Sequence, residues 1–269
     1  MIIDFHTHIF PEKIAKATIE ALEKRSNGHA STDGTASGLL KHLEKANANI
    51  GIALPVLTKP TQFDSVARFA ISVNEQYASE DRKIISFGGM HPKCDNIKEK
   101  MKFLKDNGIK GVKIHPDYQD TFIDDEGYIE ILKCAKDLDM IVVTHAGVDD
   151  GYVGEPVKCP PELCRKVIEK VNHNKFVLGH YGGHKQWENV LELLCDLDVY
   201  FDTAFTLHEI SEELFKKILN RHGEDKILFA TDCPWRDISE DLKTLYSYNL
   251  DKTVLDKILY KNAIKLLGI

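Results

Sequence analysis

Eight short apolar runs, separated by amphipathic stretches long enough for a helix, constrain this chain more than any other feature of its sequence. The runs are 2–8 (IIDFHTH), 50–56 (IGIALPV), 84–90 (IISFGGM), 110–115 (KGVKIH), 140–145 (MIVVTH), 176–180 (FVLGH), 198–203 (DVYFDT) and 226–231 (KILFAT). Most are too apolar for a sheet with one face in water and fit strands covered on both faces, as in parallel sheets. Between them, 61–79 places Phe63, Val66, Phe69, Ala70, Val73 and Tyr77 at helical spacing. Residues 126–139 do the same with Ile129, Leu132 and Ala135, and 207–220 with Ile210, Leu214, Phe215 and Ile218. Asn107-Gly108 and His222-Gly223 read as helix stops. Two further helical stretches, 238–247 and 251–267, follow the last run.

Regular strand–helix alternation predicts an α/β fold with a parallel sheet. A barrel of eight βα units typically needs about 250 residues, and the chain has 269. The expectation is a single (β/α)8 TIM barrel spanning 1–269. A doubly wound open sheet would place a glycine-rich phosphate turn after its first strand, where His6-Thr7-His8 stands instead. No composition break marks a second domain. The polar, glycine-rich segment 26–38 (SNGHASTDGTASG) follows the first strand and its helix, and reads as a mobile loop at the barrel mouth or on the surface.

Twelve residues are histidine, the commonest metal-ligating and acid/base side chain, so their placement decides the chemistry. His6 and His8 end the first run, His91 follows the third, and His115, His145 and His180 end the fourth, fifth and sixth. Asp232 follows the eighth. In a barrel these ends share the face that carries active sites. Period-two alternation points His6 and His8 the same way, a ready pair of metal ligands that His145, His180 and Asp232 can complete. Any one of these positions alone reads as a hydrogen-bonded structural group; their coincidence at one end of the strands does not. His29, His42, His173, His184, His208 and His222 fall mostly in helices and loops and read as solvated or structural.

Composition excludes other classes. A net charge of −7 opposes nucleic-acid binding. No apolar run reaches the ~18–20 residues that span a bilayer, and the first run has no basic flank of the signal-peptide kind. The six cysteines, Cys94, Cys134, Cys159, Cys164, Cys195 and Cys233, form no CxxC pair and read as reduced thiols of a cytoplasmic protein. The expected partner is a small-molecule substrate; a homo-oligomer stays open.

The ordered strings DFHTHIFPE, VKIHP, THAG, LGHYGG and TDCPW, with YKNAIKLLGI at the end, resemble the amidohydrolase superfamily. The nearer likeness is to the amidohydrolase-2 branch, with its dicarboxylate and other small-molecule lactonases and its decarboxylases of aminocarboxymuconate semialdehyde and resorcylate. The resemblance implies that His6, His8, His145 and Asp232 hold metal and that His180 is catalytic, or a second-metal ligand in binuclear relatives. In binuclear relatives a lysine on this strand is carboxylated and bridges two metals, which the resemblance would imply for Lys113, two residues before His115; otherwise Lys113 reads as a buried cation paired with a carboxylate, and VKIHP resembles the mononuclear branch.

Imidazole and carboxylate donors suit one divalent ion, Zn2+ first, with Mn2+, Fe2+ or Co2+ as alternatives. Such an ion activates water, Asp232 accepts its proton, and His180 polarises the substrate or carries protons. The leading expectation is therefore a metal-dependent hydrolase of a small amide, ester or lactone. The alternative is a non-oxidative decarboxylase of a small aromatic or unsaturated acid using the same ligands. A nuclease or phosphoesterase wants a basic mouth, against the net charge, and a purely structural metal site does not need both Asp232 and His180. Further candidates for substrate or second-metal contact are Lys113, His115, His91, Trp235 as a pocket wall, and Arg236 as a carboxylate clamp.

Overall fold

β1 (Ile3–Thr7) is buried along its whole length, as a strand covered on both faces must be. It opens a computed structural model that describes residues 1–78 and 82–269. The strands that follow are β2 (Ile50–Ala53), β3 (Lys83–Ser86), β4 (Gly88–Gly89), β5 (Gly111–Ile114), β6 (Ile141–Thr144), β7 (Phe176–Leu178), β8 (Tyr200–Asp202) and β9 (Ile227–Leu228). Every pairing is parallel and sequential, β1-β2-β3 and β4-β5-β6-β7-β8-β9.

β3 and β4 are two pieces of the run at 84–90, interrupted at Phe87. There the Phe87 N–H donates to Ala53 O at 2.9 Å and the Met90 N–H to Lys113 O at 3.1 Å, which joins the two sheets. At the other seam Phe5 N–H donates to Phe229 O and Asp232 N–H to His6 O, both at 2.9 Å. The ring closes as the (β/α)8 barrel that the sequence predicts.

Alternation along the strands sorts the core into two layers. Ile3, Phe5, Ile52, Val143 and Val177 fill the barrel, closed at its base by Leu266 and Leu267 of the helix Asn262–Leu267. Their neighbours Val142, Phe176, Leu178 and Phe201 face outward against the helices. Each large side chain buried this way contributes about 1.5–3 kcal/mol.

The connection from β1 to β2 departs from a single helix and a loop. It holds two helices, α1 (Glu12–Ser26) and α2 (Ala36–Lys45). α2 packs beside β2 and β3 as the barrel's own helix. α1 runs across the barrel mouth to the turn Asp150–Tyr152, where Arg25 Nη1 donates to Tyr152 Oη at 3.1 Å. The Arg25 guanidinium also lies over the rings of Tyr152 and Tyr118, 5.3 and 5.9 Å from their centroids.

Segment 26–38 is a loop over 27–35, between the last residue of α1 and the first residues of α2, where Thr35 caps the helix by accepting the Gly38 N–H at 3.0 Å. Ser31 fastens the turn beside the mouth, its N–H donating to Pro234 O at 2.6 Å and its hydroxyl contacting Arg236 O at 3.1 Å.

The helix α3 (Phe63–Tyr77) lies within the stretch 61–79, whose last residue falls outside the described ones. The helix expected over 207–220 is Glu212–His222, because Ser211 caps it by accepting the Leu214 N–H at 3.2 Å. Among the described residues no helix is long and apolar enough to cross a membrane. All six cysteines are free and buried.

Candidate active site

The carboxyl ends of the barrel strands bring His6, His8, Lys113, His115, His145, His180 and Asp232 to one cavity of about 680 Å³. β5 and β6 deliver their residues by simple alternation: Val112 and Ile114 face out and leave Lys113 and His115 facing in, while Val143 is followed inward by His145. β1 cannot do so, because Ile3 and Phe5 already face the barrel interior and strict alternation would turn His6 and His8 away. A register shift against β2 between Asp4 and Thr7 resolves the conflict. Thr7 takes the outward place, its hydroxyl donating to Ile52 O at 2.9 Å, and both histidines enter the mouth.

His180 and Asp232 stand just past β7 and β9 on left-handed backbone, at φ 58° and 70°. That conformation is uncommon for a residue with a side chain. Buried hydrogen bonds fix it: Asp202 Oδ1 accepts the His180 N–H at 3.0 Å, and Asp232 donates its N–H to His6 O. Beneath Asp232, Asp4 accepts the Thr231 N–H at 3.0 Å.

Each ring is held from behind. His6 Nδ1 bonds Asp202 Oδ2 at 2.8 Å, His8 Nδ1 bonds Leu54 O at 2.8 Å, and His180 Nδ1 bonds Ala204 O at 2.9 Å. Because those partners only accept, each Nδ1 carries the hydrogen and each Nε2 presents a lone pair to the cavity. His8 Nε2 then stands 3.0 Å and His6 Nε2 3.5 Å from Asp232 Oδ1. Two imidazole lone pairs facing a carboxylate is the arrangement that a shared cation relieves, so these residues fit a divalent metal. The donor atoms of His6, His8 and Asp232 lie within 4.8 Å of one another.

His145 Nε2 is buried without a hydrogen-bond partner and adjoins this group, its ring centroid 4.5 Å from that of His180. It also belongs to a neighbouring trio with His115 and Asp149. Burial drives His6, His115 and His145 well below the usual histidine range and His180 to about 4, which keeps them neutral and able to bind metal. Burial pushes Asp232 up, but the rings of His8, His6 and His180 around it outweigh this and hold the carboxyl at about 2.

Lys113 is fully buried and its Nζ lies 2.9 Å from His6 Nε2, with no carboxylate in ion-pair contact among the described residues. Burial brings it down to about 8. Its amine thus reaches the first histidine of the group and not a carboxylate partner.

The other candidates divide. His115 lines the cavity, stacked between Tyr118 and His145 with centroids at 4.0 and 4.4 Å. His91 does not line it; its Nδ1 accepts the Lys93 N–H at 3.1 Å, the turn-capping role. Trp235 is part of the wall. Arg236 is too, but its guanidinium already bonds the buried Asp241 at 2.9 Å.

Several contributors escape the sequence reading. Asp202 looks like an ordinary strand end, yet it orients His6 and His180. Asp149 lines the cavity, with burial raising its carboxyl to about 7, and Asp117 Oδ2 lies buried 3.9 Å from His145 Nε2. His184 and His208, whose sequence context reads as solvated or structural, line the mouth. The DD of 149–150, one residue beyond THAG, is the available signal for Asp149. By contrast His42 caps the helix Ile238–Ser247, and His173 and His222 bond backbone carbonyls.

The family model described as Amidohydrolase matches residues 3–269. Comparison with curated protein sequences gives no match. Among solved structures, an uncharacterised TIM-barrel protein from Bordetella bronchiseptica is similar with TM-score 0.80 and 16% identity, over 99% of this chain and 98% of its own. A 5-carboxyvanillate decarboxylase from Sphingomonas paucimobilis is similar at TM-score 0.70 and 12% identity, over 100% and 99% of the two chains. A dihydroxybenzoic acid decarboxylase from Polaromonas, with bound manganese and the inhibitor 2-nitroresorcinol, reaches TM-score 0.71 and 15% identity over 99% and 96%.

Proposed function

From the premise that this chain belongs to the amidohydrolase family, we propose that it is a metal-dependent, non-oxidative decarboxylase of a carboxylic acid whose carboxyl sits on an aromatic or unsaturated carbon. His6, His8, His145 and Asp232 would hold one divalent ion. Hydrolysis, the first expectation from sequence, would use the same ligands. Decarboxylation takes precedence because neighbours spanning the whole chain are decarboxylases of hydroxylated aromatic acids. Manganese in one such neighbour makes Mn2+ as good an occupant as Zn2+.

The observation that carries the reading is the set of His6, His8 and Asp232 converging lone pair to lone pair beside the cationic Lys113. When bound, the ion would supply Lewis-acid polarisation of a substrate oxygen. Lys113 favours an anionic substrate by its charge. Asp232 or His180, both facing the same space and neither holding a proton there at rest, takes one up from water and delivers it to the carbon that bears the carboxylate. The carbon–carboxylate bond then breaks, its electron pair stays with the protonated carbon, and CO2 leaves. The neutral His180, fixed by Ala204 O and Asp202, keeps its orientation as protons move.

The deciding experiment incubates the metal-loaded protein with hydroxybenzoates, unsaturated acids, lactones and N-acyl compounds and follows CO2. Release of one CO2 per acid consumed is the expected outcome. Opening of a lactone or amide with no CO2 from any acid would overturn the reading in favour of hydrolysis.

A further inference from the structure

We infer that the cavity has a second compartment built for an apolar tail, so that the substrate is a monocarboxylic acid carrying a hydrocarbon chain at the end away from its carboxyl. The inference rests on the decarboxylase reading only for the identity of the head group. A cavity of about 680 Å³ is in the range of sites that enclose drug-sized ligands, and a single substituted ring at His6, His8 and Asp232 leaves most of it unfilled.

The walls beyond those residues are largely hydrocarbon. Phe10 follows His8 by two residues, and Val56 follows by two the Leu54 whose carbonyl holds His8, so apolar surface begins where the metal-binding group ends. Ile14 and Leu22 of α1 continue it as a roof, and Val66 and Phe69 of α3 as a side wall. Ile14 is 51% exposed at the rim, so the compartment opens to solvent along α1.

Charge argues the same way. Among the described residues lining the cavity the lysine and arginine groups are Lys113, at the head, and Arg236, already engaged by Asp241. A second carboxylate at the far end would meet the hydrocarbon of Phe10, Ile14, Val66 and Phe69 and no free cation among the described lining residues. A hydrocarbon chain loses nothing there and gains by leaving water.

The test is calorimetric binding of straight-chain alkanoates, butanoate to decanoate, to the metal-loaded protein below their micellar concentrations. These acids have no activated carbon and do not react, so the readout is independent of decarboxylation. Each added methylene should lower Kd about fourfold until the compartment is full. Val66→Trp should bring the plateau to a shorter chain, and Leu22→Asn should weaken the dependence per methylene. A Kd independent of chain length in a folded protein, or a plateau unmoved by both variants, overturns the inference, even if short aromatic acids are decarboxylated. A rising affinity series together with no CO2 from any hydroxybenzoate or unsaturated acid instead leaves the tail compartment standing and removes the decarboxylase reading.

Discussion

The floor and the roof of the cavity are built by different rules. On the floor, His6, His8, His180 and Asp232 sit at strand ends, and each is tied by its ring or its backbone to a buried partner. In the roof, α1 meets the Asp150–Tyr152 turn through the exposed Arg25 and the half-buried Tyr152 and presents Ile14 and Leu22 from a half-exposed face. A metal site needs its donors fixed to a fraction of an ångström, and only the barrel strands supply that. A roof bordering solvent tolerates movement and change, which is where substrate choice belongs.

Loss of the floor should be total. His6→Ala combined with His8→Ala should abolish metal binding and turnover while circular dichroism still reports the barrel, because the core lies elsewhere. Full metal content in that double variant would remove the floor from the comparison.

Next in size, His180→Asn should retain its metal and lose about 10²–10⁴-fold in kcat. Loss of a second metal equivalent by elemental analysis would instead make the floor binuclear.

A smaller effect separates the floor's ligands from their supports. In Asp202→Asn the amide oxygen can still accept the backbone hydrogen bonds of His180 and Ala204. The amide nitrogen would then face His6 Nδ1 and drive the imidazole hydrogen to Nε2. Metal affinity should fall about 10–100-fold, measured by competition with a chelator. An unchanged affinity would show that Asp202 does not set the His6 tautomer.

The smallest effect lies in the roof. Arg25→Ala removes one exposed hydrogen bond and the stacking on Tyr118 and Tyr152. KM should rise by a factor of about 2–5, as expected for a contribution near 0.5–1 kcal/mol, with metal content unaltered. A fall in metal content would mean that the roof supports the floor.

The sequence by itself determined the barrel and most of its floor. Apolar runs at regular spacing can be buried on both faces only in a parallel sheet, and length closes that sheet. Histidines and Asp232 at run ends were legible because a barrel puts every strand end on one face. The sequence did not reveal that Phe5 and both neighbouring histidines face inward together, which requires the register shift in β1 against β2.

Nor did it mark Asp202, whose role depends on partners 196 and 22 residues away. The glycine-rich 26–38 reads locally as a loop and is one over 27–35, but the sequence did not show that Ser31 would fasten it beside the mouth and Thr35 would cap a second helix. The path of α1 across the mouth was equally hidden, because helical periodicity names a face and never what that face covers. Local pattern fixes which residues a strand or helix presents together; only the closed barrel decides what they meet, since those contacts join residues far apart in the chain.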